Sequence, residues 1–136
     1  GIIMAWAAMN YDITAEIIIL YISAIFWTLG YDTIYGAQDM YEDEIIGLKS
    51  TSLKFKKNIK LFVAFSYTTS FLLISYLFKN DLGMNLFSII LSIFILSLIY
   101  QLIKFEKKEP IECLKMFKLN NFSGLLLFLG ILSINF

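Results

Sequence analysis

The sequence predicts an all-α, multi-pass transmembrane helix bundle, from its composition, its apolar runs and its loop charges. The 136 residues are 59% hydrophobic, well above the about 45–50% of an ordinary soluble domain. A helix crosses a bilayer with roughly 20 apolar residues. Four runs are long enough for this, at 13–35, 59–78, 84–105 and 120–136. Because these runs lack strand-like alternation, the sequence favours helices over a membrane β-barrel.

The joints between the four runs alternate between lysine-rich and lysine-poor. The first joint carries Lys49, Lys54, Lys56, Lys57 and Lys60, the second carries Lys79, and the third carries Lys104, Lys107, Lys108, Lys115 and Lys118. The positive-inside rule therefore predicts that both lysine-rich joints face the cytoplasm or its equivalent. The expected location is a bacterial inner membrane or a mitochondrial inner membrane. A soluble four-helix bundle, the alternative, leaves the alternation unexplained.

The composition also excludes several classes of function. The basic residues form no arginine-rich face, which argues against a nucleic-acid partner. Cys113 is the only cysteine, so there is no internal disulfide or thiolate metal cage. Without histidine, any metal must be a hard ion held by oxygen.

Three further local features lead to expectations about structure. The opening run "GIIMAWAAM" is too short to span and is interpreted as the tail of a cut helix in a longer protein. Pro110 is expected to open a short helix. Asn120 and Asn121 are expected to cap the last one rather than bind a ligand.

Acidic residues gather where the first full run ends. If one helix continues from Trp27 to about Asp43, then Asp32, Tyr35, Asp39 and Asp43 share a face. Asp39 and Asp43 are one turn apart and can both reach a single ion. Two carboxylates suit Mg²⁺, which takes its remaining ligands from water and substrate phosphates. The pattern favours a phosphate or diphosphate bound through Mg²⁺.

The residues around this pair leave two interpretations open. Lys49 follows closely and can donate to a phosphate oxygen, or it simply sets topology. Tyr35 contributes to the site, or it is an interface-belt tyrosine. Asp32 lies deeper on the apolar side, where an unpaired charge is expensive. For the acids as a group, the alternative to a metal site is a solvated acidic loop end in which Asp39 and Asp43 are merely hydrated.

The stretch "YDTIYGAQDMYEDEIIGLKST" closely resembles the second aspartate-rich motif of the UbiA superfamily of membrane prenyltransferases, in its 4-hydroxybenzoate branch. The matching residues are Tyr31, Asp32, Thr33, Tyr35, Asp39, Asp43, Ile46, Gly47, Lys49, Ser50 and Thr51. Two positions depart from the pattern: Gly36 replaces an alanine, and Glu42 stands where aspartate is common. The segments "GIIMAWAAMN" and "CLKMFKLNNFSGLLLFLGILSI" extend the resemblance to nearly the whole chain.

The resemblance implies about the last five helices of a nine-helix ring, with 1–136 as the C-terminal part of one domain. It implies Mg²⁺-dependent transfer of a polyprenyl group from polyprenyl diphosphate to 4-hydroxybenzoate, an early step toward ubiquinone, in a lipid bilayer. Asp39 and Asp43 would bind metal and substrate, Lys49 the diphosphate, and Asp32, Tyr35 and Lys49 would serve catalysis. The first motif, N-D-x-x-D-x-x-x-D, is missing, so the chain alone is expected to be inactive. Another aromatic acceptor, or a non-enzymatic cation-binding bundle, is the alternative.

Overall fold

The computed structural model describes residues 2–10, 12–106 and 108–135, and the described chain is all helical, without strands. A single-turn 3₁₀ helix, Ser133–Asn135, follows the last α-helix. The α-helices are α1 (Ile2–Asn10), α2 (Ala15–Gln38), α3 (Met40–Ile46), α4 (Thr51–Lys54), α5 (Ile59–Leu77), α6 (Leu86–Lys104) and α7 (Pro110–Leu132). The predicted fold class is therefore confirmed.

Three of these helices are long and apolar enough to cross a membrane: within the described residues they are α2, α5 and α6. They correspond to the first three predicted runs. The chain is thus an integral membrane protein, since a helix satisfies all its backbone hydrogen bonds internally and can lie in lipid.

The last helix differs from the prediction. Pro110 opens not a short helix but α7, which continues without a break through the predicted fourth run. Asn120 and Asn121 therefore lie inside α7 rather than at its cap, and Asn120 Oδ1 accepts a 2.8 Å hydrogen bond from Trp27 Nε1. The first part of α7 carries the charged residues Glu112, Lys115 and Lys118. Accordingly, α7 is not one of the three helices that are apolar enough to cross a membrane.

The helices pack around α2, which lies against both α5 and α7, while α6 packs on α7. Small and polar residues allow these close contacts. Ser23 Oγ on α2 is 3.1 Å from Ser70 Oγ on α5. A Cβ on Gly30 would overlap the Tyr67 ring, so glycine is needed for α5 to approach α2 here. Such polar and small-residue contacts are how helices associate in lipid, where burial of apolar surface gives little drive.

A buried polar chain joins α5, α6 and α7. Tyr67 Oη donates to Gln101 Oε1 at 2.8 Å, and Gln101 Nε2 donates to Ser123 Oγ at 2.9 Å. Ser97 Oγ lies 2.5 Å from Ser123 Oγ. Gln101 is completely buried. A buried amide needs hydrogen-bond partners for both its oxygen and its nitrogen, and these two bonds supply them.

Both lysine-rich joints meet at one end of the bundle, which we call the basic end. Lys60 Nζ, at the start of α5, pairs with Glu106 Oε1, just after α6, at 2.8 Å. Within the described chain the lysines of this end are Lys49, Lys54, Lys56, Lys57, Lys60, Lys104, Lys108, Lys115 and Lys118. Lys79 lies in the α5–α6 turn at the opposite end. This segregation is the one that the positive-inside rule requires of spanning helices.

Candidate functional site

The aspartate pair lies where α2 ends at the basic end. The prediction of one helix through Asp43 was wrong at one residue, because α2 stops at Gln38 and α3 starts at Met40. Asp39 between them has φ −100° and ψ 7°. The Asp43 N–H nevertheless donates to the Asp39 carbonyl oxygen at 2.9 Å, the i to i+4 bond of a helix. The two residues therefore keep the one-turn spacing predicted, and each is half-buried.

The donor set around this pair suits a hard cation only in part. Among residues 2–10, 12–106 and 108–135, no group of three or more His, Cys, Asp and Glu side chains could hold a metal. Gln38 Nε2 donates to Asp39 Oδ1 at 3.2 Å, while the buried Gln38 Oε1 has no partner among the described residues. Two carboxylates beside an unsatisfied amide oxygen fit Mg²⁺, provided that water and phosphate oxygens complete its shell.

A left-handed turn carries the chain back from the pair. Gly47 caps α3 with φ 78°, and its N–H and that of Leu48 both donate to the Asp43 carbonyl oxygen. Glycine takes this conformation without the steric cost that a Cβ brings. Lys49 follows directly and is exposed. The turn thus places the lysine next to the end of the helix that carries Asp43.

The segment after Lys49 is fixed against α2. Ser50 Oγ caps α4 by accepting from the Leu53 N–H at 3.3 Å. The buried Ser52 Oγ donates to the Thr33 carbonyl oxygen at 3.2 Å. A Cβ on Gly36 would overlap Ser52 Oγ. Glycine in place of the alanine of the family pattern therefore leaves the space that Ser52 occupies, and this allows α4 to pack closely on α2.

Glu44 belongs to a different contact. Its carboxylate pairs with Lys56 Nζ in the turn between α4 and α5. Both partners are about half exposed, so the pair contributes little stability by itself, but it ties α3 to the following turn.

Asp32 and Tyr35 lie on the same helix at greater depth. Asp32 is exposed and forms no ion pair with any described lysine. Seven residues separate it from Asp39, which is about 10 Å along a helix axis. Tyr35 is 42% exposed, and its ring centroid is 4.7 Å from that of Phe117 on α7. Asp32 and Tyr35 thus lie deeper along α2 than the aspartate pair, as their positions in the sequence require.

An aromatic column that was not predicted leads inward from the aspartate pair. Phe117 also contacts Tyr31, with ring centroids 5.9 Å apart, and Tyr31 contacts Trp27 at 6.2 Å. Trp27 in turn meets Phe94 at 5.5 Å. The spacing of Trp27, Tyr31 and Tyr35 at intervals of four was a visible signal on α2. The partner on α7 was not, because it depends on how two helices pack.

The chain is similar to known membrane prenyltransferases. The model of the UbiA prenyltransferase family matches residues 1–129. A 4-hydroxybenzoate octaprenyltransferase of Psychromonas ingrahamii is 36% identical over 94% of this chain and 45% of its own length. A 4-hydroxybenzoate geranyltransferase of Lithospermum erythrorhizon is 37% identical over 83% of this chain and 37% of its own.

A mitochondrial 4-hydroxybenzoate polyprenyltransferase of Drosophila pseudoobscura pseudoobscura is 33% identical over 96% of this chain and 33% of its own length. No solved structure matches the chain. The chain spans less than half the length of these relatives. The family match covers nearly every residue, including the aspartate pair and the turn after it, and on that evidence the chain belongs to the UbiA prenyltransferase family.

Proposed function

We propose that the protein to which this chain belongs transfers a polyprenyl group from its diphosphate to the aromatic ring of 4-hydroxybenzoate. The observation that carries the proposal is the Asp39–Asp43 pair, one turn apart, at the basic end of three apolar helices. The relatives whose names specify a 4-hydroxybenzoate acceptor support that choice over other aromatic acceptors. Formation of a ubiquinone precursor follows from the same chemistry.

The aspartate pair is assigned to a divalent cation, and Mg²⁺ is the ion that two carboxylates and phosphate oxygens suit best. When bound, the cation neutralises part of the negative charge on the departing diphosphate. Asp39 and Asp43 anchor the diphosphate end of the substrate at this position. Lys49 donates to a phosphate oxygen from the adjoining turn. The remaining ligands come from another segment, which we expect to carry the first aspartate-rich motif, so this chain alone is inactive.

The aromatic column is assigned to the hydrocarbon end of the reaction. As the allylic C–O bond breaks, its electron pair leaves with the diphosphate and positive charge develops on the prenyl carbon. The faces of Tyr31, Tyr35 and Phe117 attract such a cation and keep water from it. The ring carbon beside the phenol hydroxyl then forms the new bond to the prenyl carbon and loses its proton, which leaves with the released diphosphate. Asp32, about two turns deeper than the pair, is assigned to accept a hydrogen bond from that hydroxyl.

The membrane arrangement accounts for the position of the site. The basic end is assigned to the cytoplasmic side of a bacterial membrane or the matrix side of a mitochondrial one. There the diphosphate and benzoate arrive from water while the isoprenoid tail stays in lipid. A cation-conducting bundle would need acids near mid-span. Within the described parts of the three spans, acids occur only at Glu16 and Asp32, near opposite ends of α2.

The experiment is prenyl transfer by the full-length protein with Asp39→Asn or Asp43→Asn. Removing one charge that stabilises the transition state lowers rates by roughly 100-fold or more, and we expect a loss of that size in each variant. Glu42→Gln is the matched control, because Glu42 is an exposed acid on the same short helix. It should stay near the parent rate. Undiminished transfer by either aspartate variant would reject the assignment.

A further inference from the structure

We propose that the outer face of α5 is a binding site for an anionic phospholipid of the surrounding bilayer. The headgroup phosphate would contact Lys54 and Lys57 at the basic end. One acyl chain would run down a groove along α5 into the cleft between α5 and α6. This site is separate from the aspartate pair, which lies on α2 and α3.

Three depressions overlap to form the groove. The first, of about 460 Å³, is lined by the segment 53–58 and includes Lys54 and Lys57. The second, of about 570 Å³, shares Phe55 and Asn58 with the first and continues along α5. The third, of about 140 Å³, shares Ala64 and Thr68 with the second and lies between α5 and α6. The shared residues make one continuous path from a charged end to an apolar one.

The packing of the helices explains why the lower part of the groove exists. Because α5 packs chiefly on α2 and α6 on α7, a cleft remains between α5 and α6. Phe71 on α5 and Ile95 and Leu102 on α6 form its walls. The small side chains of Ala64 and Thr68 leave its entrance open. The cleft offers hydrocarbon surface to a chain that enters from the lipid.

The groove is long enough to cross one bilayer leaflet. Thirteen residues separate Asn58 from Phe71, which is about 20 Å of helix. One leaflet of hydrocarbon is about 15 Å thick. A chain that starts at the basic end can therefore follow the groove and the cleft as far as the bilayer midplane. Leu61, 72% exposed, and Phe65, 60% exposed, lie along this path at the depth of lipid tails.

Charge complementarity selects an anionic headgroup. Of the four lysines around the upper groove, Lys56 pairs with Glu44 and Lys60 with Glu106. Lys54 and Lys57 are exposed, and neither forms an ion pair with a carboxylate in the described chain. Lys54 Nζ lies 5.9 Å above the Phe55 ring, and Phe55 stacks on Phe62 at 4.1 Å. The surplus charge thus borders the aromatic wall where the groove begins.

The test measures lipid binding to the purified full-length protein by native mass spectrometry, with phosphatidylglycerol and phosphatidylcholine as probes. Each juxtamembrane lysine strengthens binding to anionic lipid roughly fivefold. We expect Lys54→Ala with Lys57→Ala to weaken phosphatidylglycerol binding about 25-fold. Lys79→Ala, at the opposite end, is the matched control and should change nothing. Equal binding of the two lipids by the parent protein would overturn the proposal.

The groove is tested separately by filling it. Ala64→Trp and Thr68→Trp should weaken phosphatidylglycerol binding, whereas Ile89→Trp, at an exposed position of α6 outside the groove, should not. Loss with the lysine variants but not with the tryptophan variants would mean headgroup adsorption only and would overturn the groove. Displacement of the lipid by equimolar glycerol phosphate would do the same.

A measurement on the unaltered protein guards against variants that fail to fold. Phosphatidylglycerol with a photoreactive group near the end of one acyl chain should label peptides of α5 and α6 around the cleft. Labelling confined to α2 or α7 would contradict the proposed path.

Discussion

The Asp43 N–H donates a 2.9 Å hydrogen bond to the Asp39 carbonyl oxygen across the break between α2 and α3. This bond keeps the backbones of the two residues one helical turn apart even though the helix is interrupted at Asp39. Neither residue is fully exposed, so an uncompensated pair of charges here would be unfavourable. Binding of a cation here therefore depends on how firmly the surrounding turn and α4 hold these two residues.

Gly36 is expected to contribute to stability because it leaves room for the neighbouring Ser52 side chain. In Gly36→Ala the new methyl overlaps Ser52 Oγ, and such overpacking costs about 1–3 kcal/mol. Thermal unfolding in detergent should show this loss. Adding Ser52→Ala should recover most of it, since the overlapping oxygen is then gone. A double variant no more stable than Gly36→Ala alone would contradict the proposed packing.

Gly47 is expected to matter for its backbone conformation rather than for its contacts. Nothing lies within 4 Å of a Cβ placed there, but φ is +78°. A left-handed conformation costs a residue with a side chain about 1–2 kcal/mol, so Gly47→Ala should lower the free energy of unfolding by that amount. Gly83→Ala is the control, because its Cβ also meets open space and its φ is not in that region. Equal effects of the two substitutions would argue against the turn.

Gln101 is expected to be the central residue of the buried polar chain. Gln101→Leu leaves Tyr67 Oη and Ser123 Oγ without the partners that they have now. Interhelical hydrogen bonds in membranes contribute about 0.6 kcal/mol on average and up to about 1.7, and losing two of them should lower the unfolding temperature measurably. Ser92→Ala removes only a bond to its own helix, from Ser92 Oγ to the Ser88 carbonyl oxygen, and should have little effect.

The thiol of Cys113 is expected to react slowly with alkylating reagents except at high pH. It is buried, and its Sγ donates to the Glu106 carbonyl oxygen at 3.2 Å. Burial raises the pKa of Cys113 to about 11 from 9.0, with Glu106, Glu109 and Glu112 also raising it. Alkylation should stay slow at neutral pH and accelerate toward pH 11. The folded chain holds this proton more tightly than the unfolded chain, so the stability it contributes is complete below pH 9 and is lost as pH rises through 11.

The comparison that checks this is alkylation of the same protein unfolded in detergent and urea. The unfolded thiol should react readily near pH 9. Equal rates in the folded and unfolded states at that pH would show that the thiol is not shielded.

The sequence predicted those structural features that follow from the regular spacing of residues along a helix and of charges between helices. The four-residue spacing of Asp39 and Asp43 survives in the structure, because an i to i+4 bond links them. The alternation of lysines predicted which joints meet, and the Lys60–Glu106 pair confirms that two of them lie at one end. Both patterns act through the helical repeat and the bilayer, which are common to all membrane helices.

Features that depend on packing between helices were not predictable. The break at Asp39 changes a single residue. Aspartate favours caps and turns, but Asp32 and Asp43 lie inside helices, so residue type alone does not place the break. Asn120 is a common capping residue, but here it lies inside α7, where it accepts the Trp27 indole N–H. Phe117 joins Tyr35 only because α7 crosses α2. The positions of Asn120 and Phe117 are decided by partners far away in the sequence.

The most direct test of the aspartate pair is cation binding itself. Mn²⁺, a spectroscopic stand-in for Mg²⁺, is titrated into the full-length protein with a non-reactive prenyl diphosphate analogue and followed by electron paramagnetic resonance. We expect bound Mn²⁺ in the parent and in Glu42→Gln, and a marked loss in Asp39→Asn and Asp43→Asn. Unchanged Mn²⁺ binding in both aspartate variants would contradict this expectation.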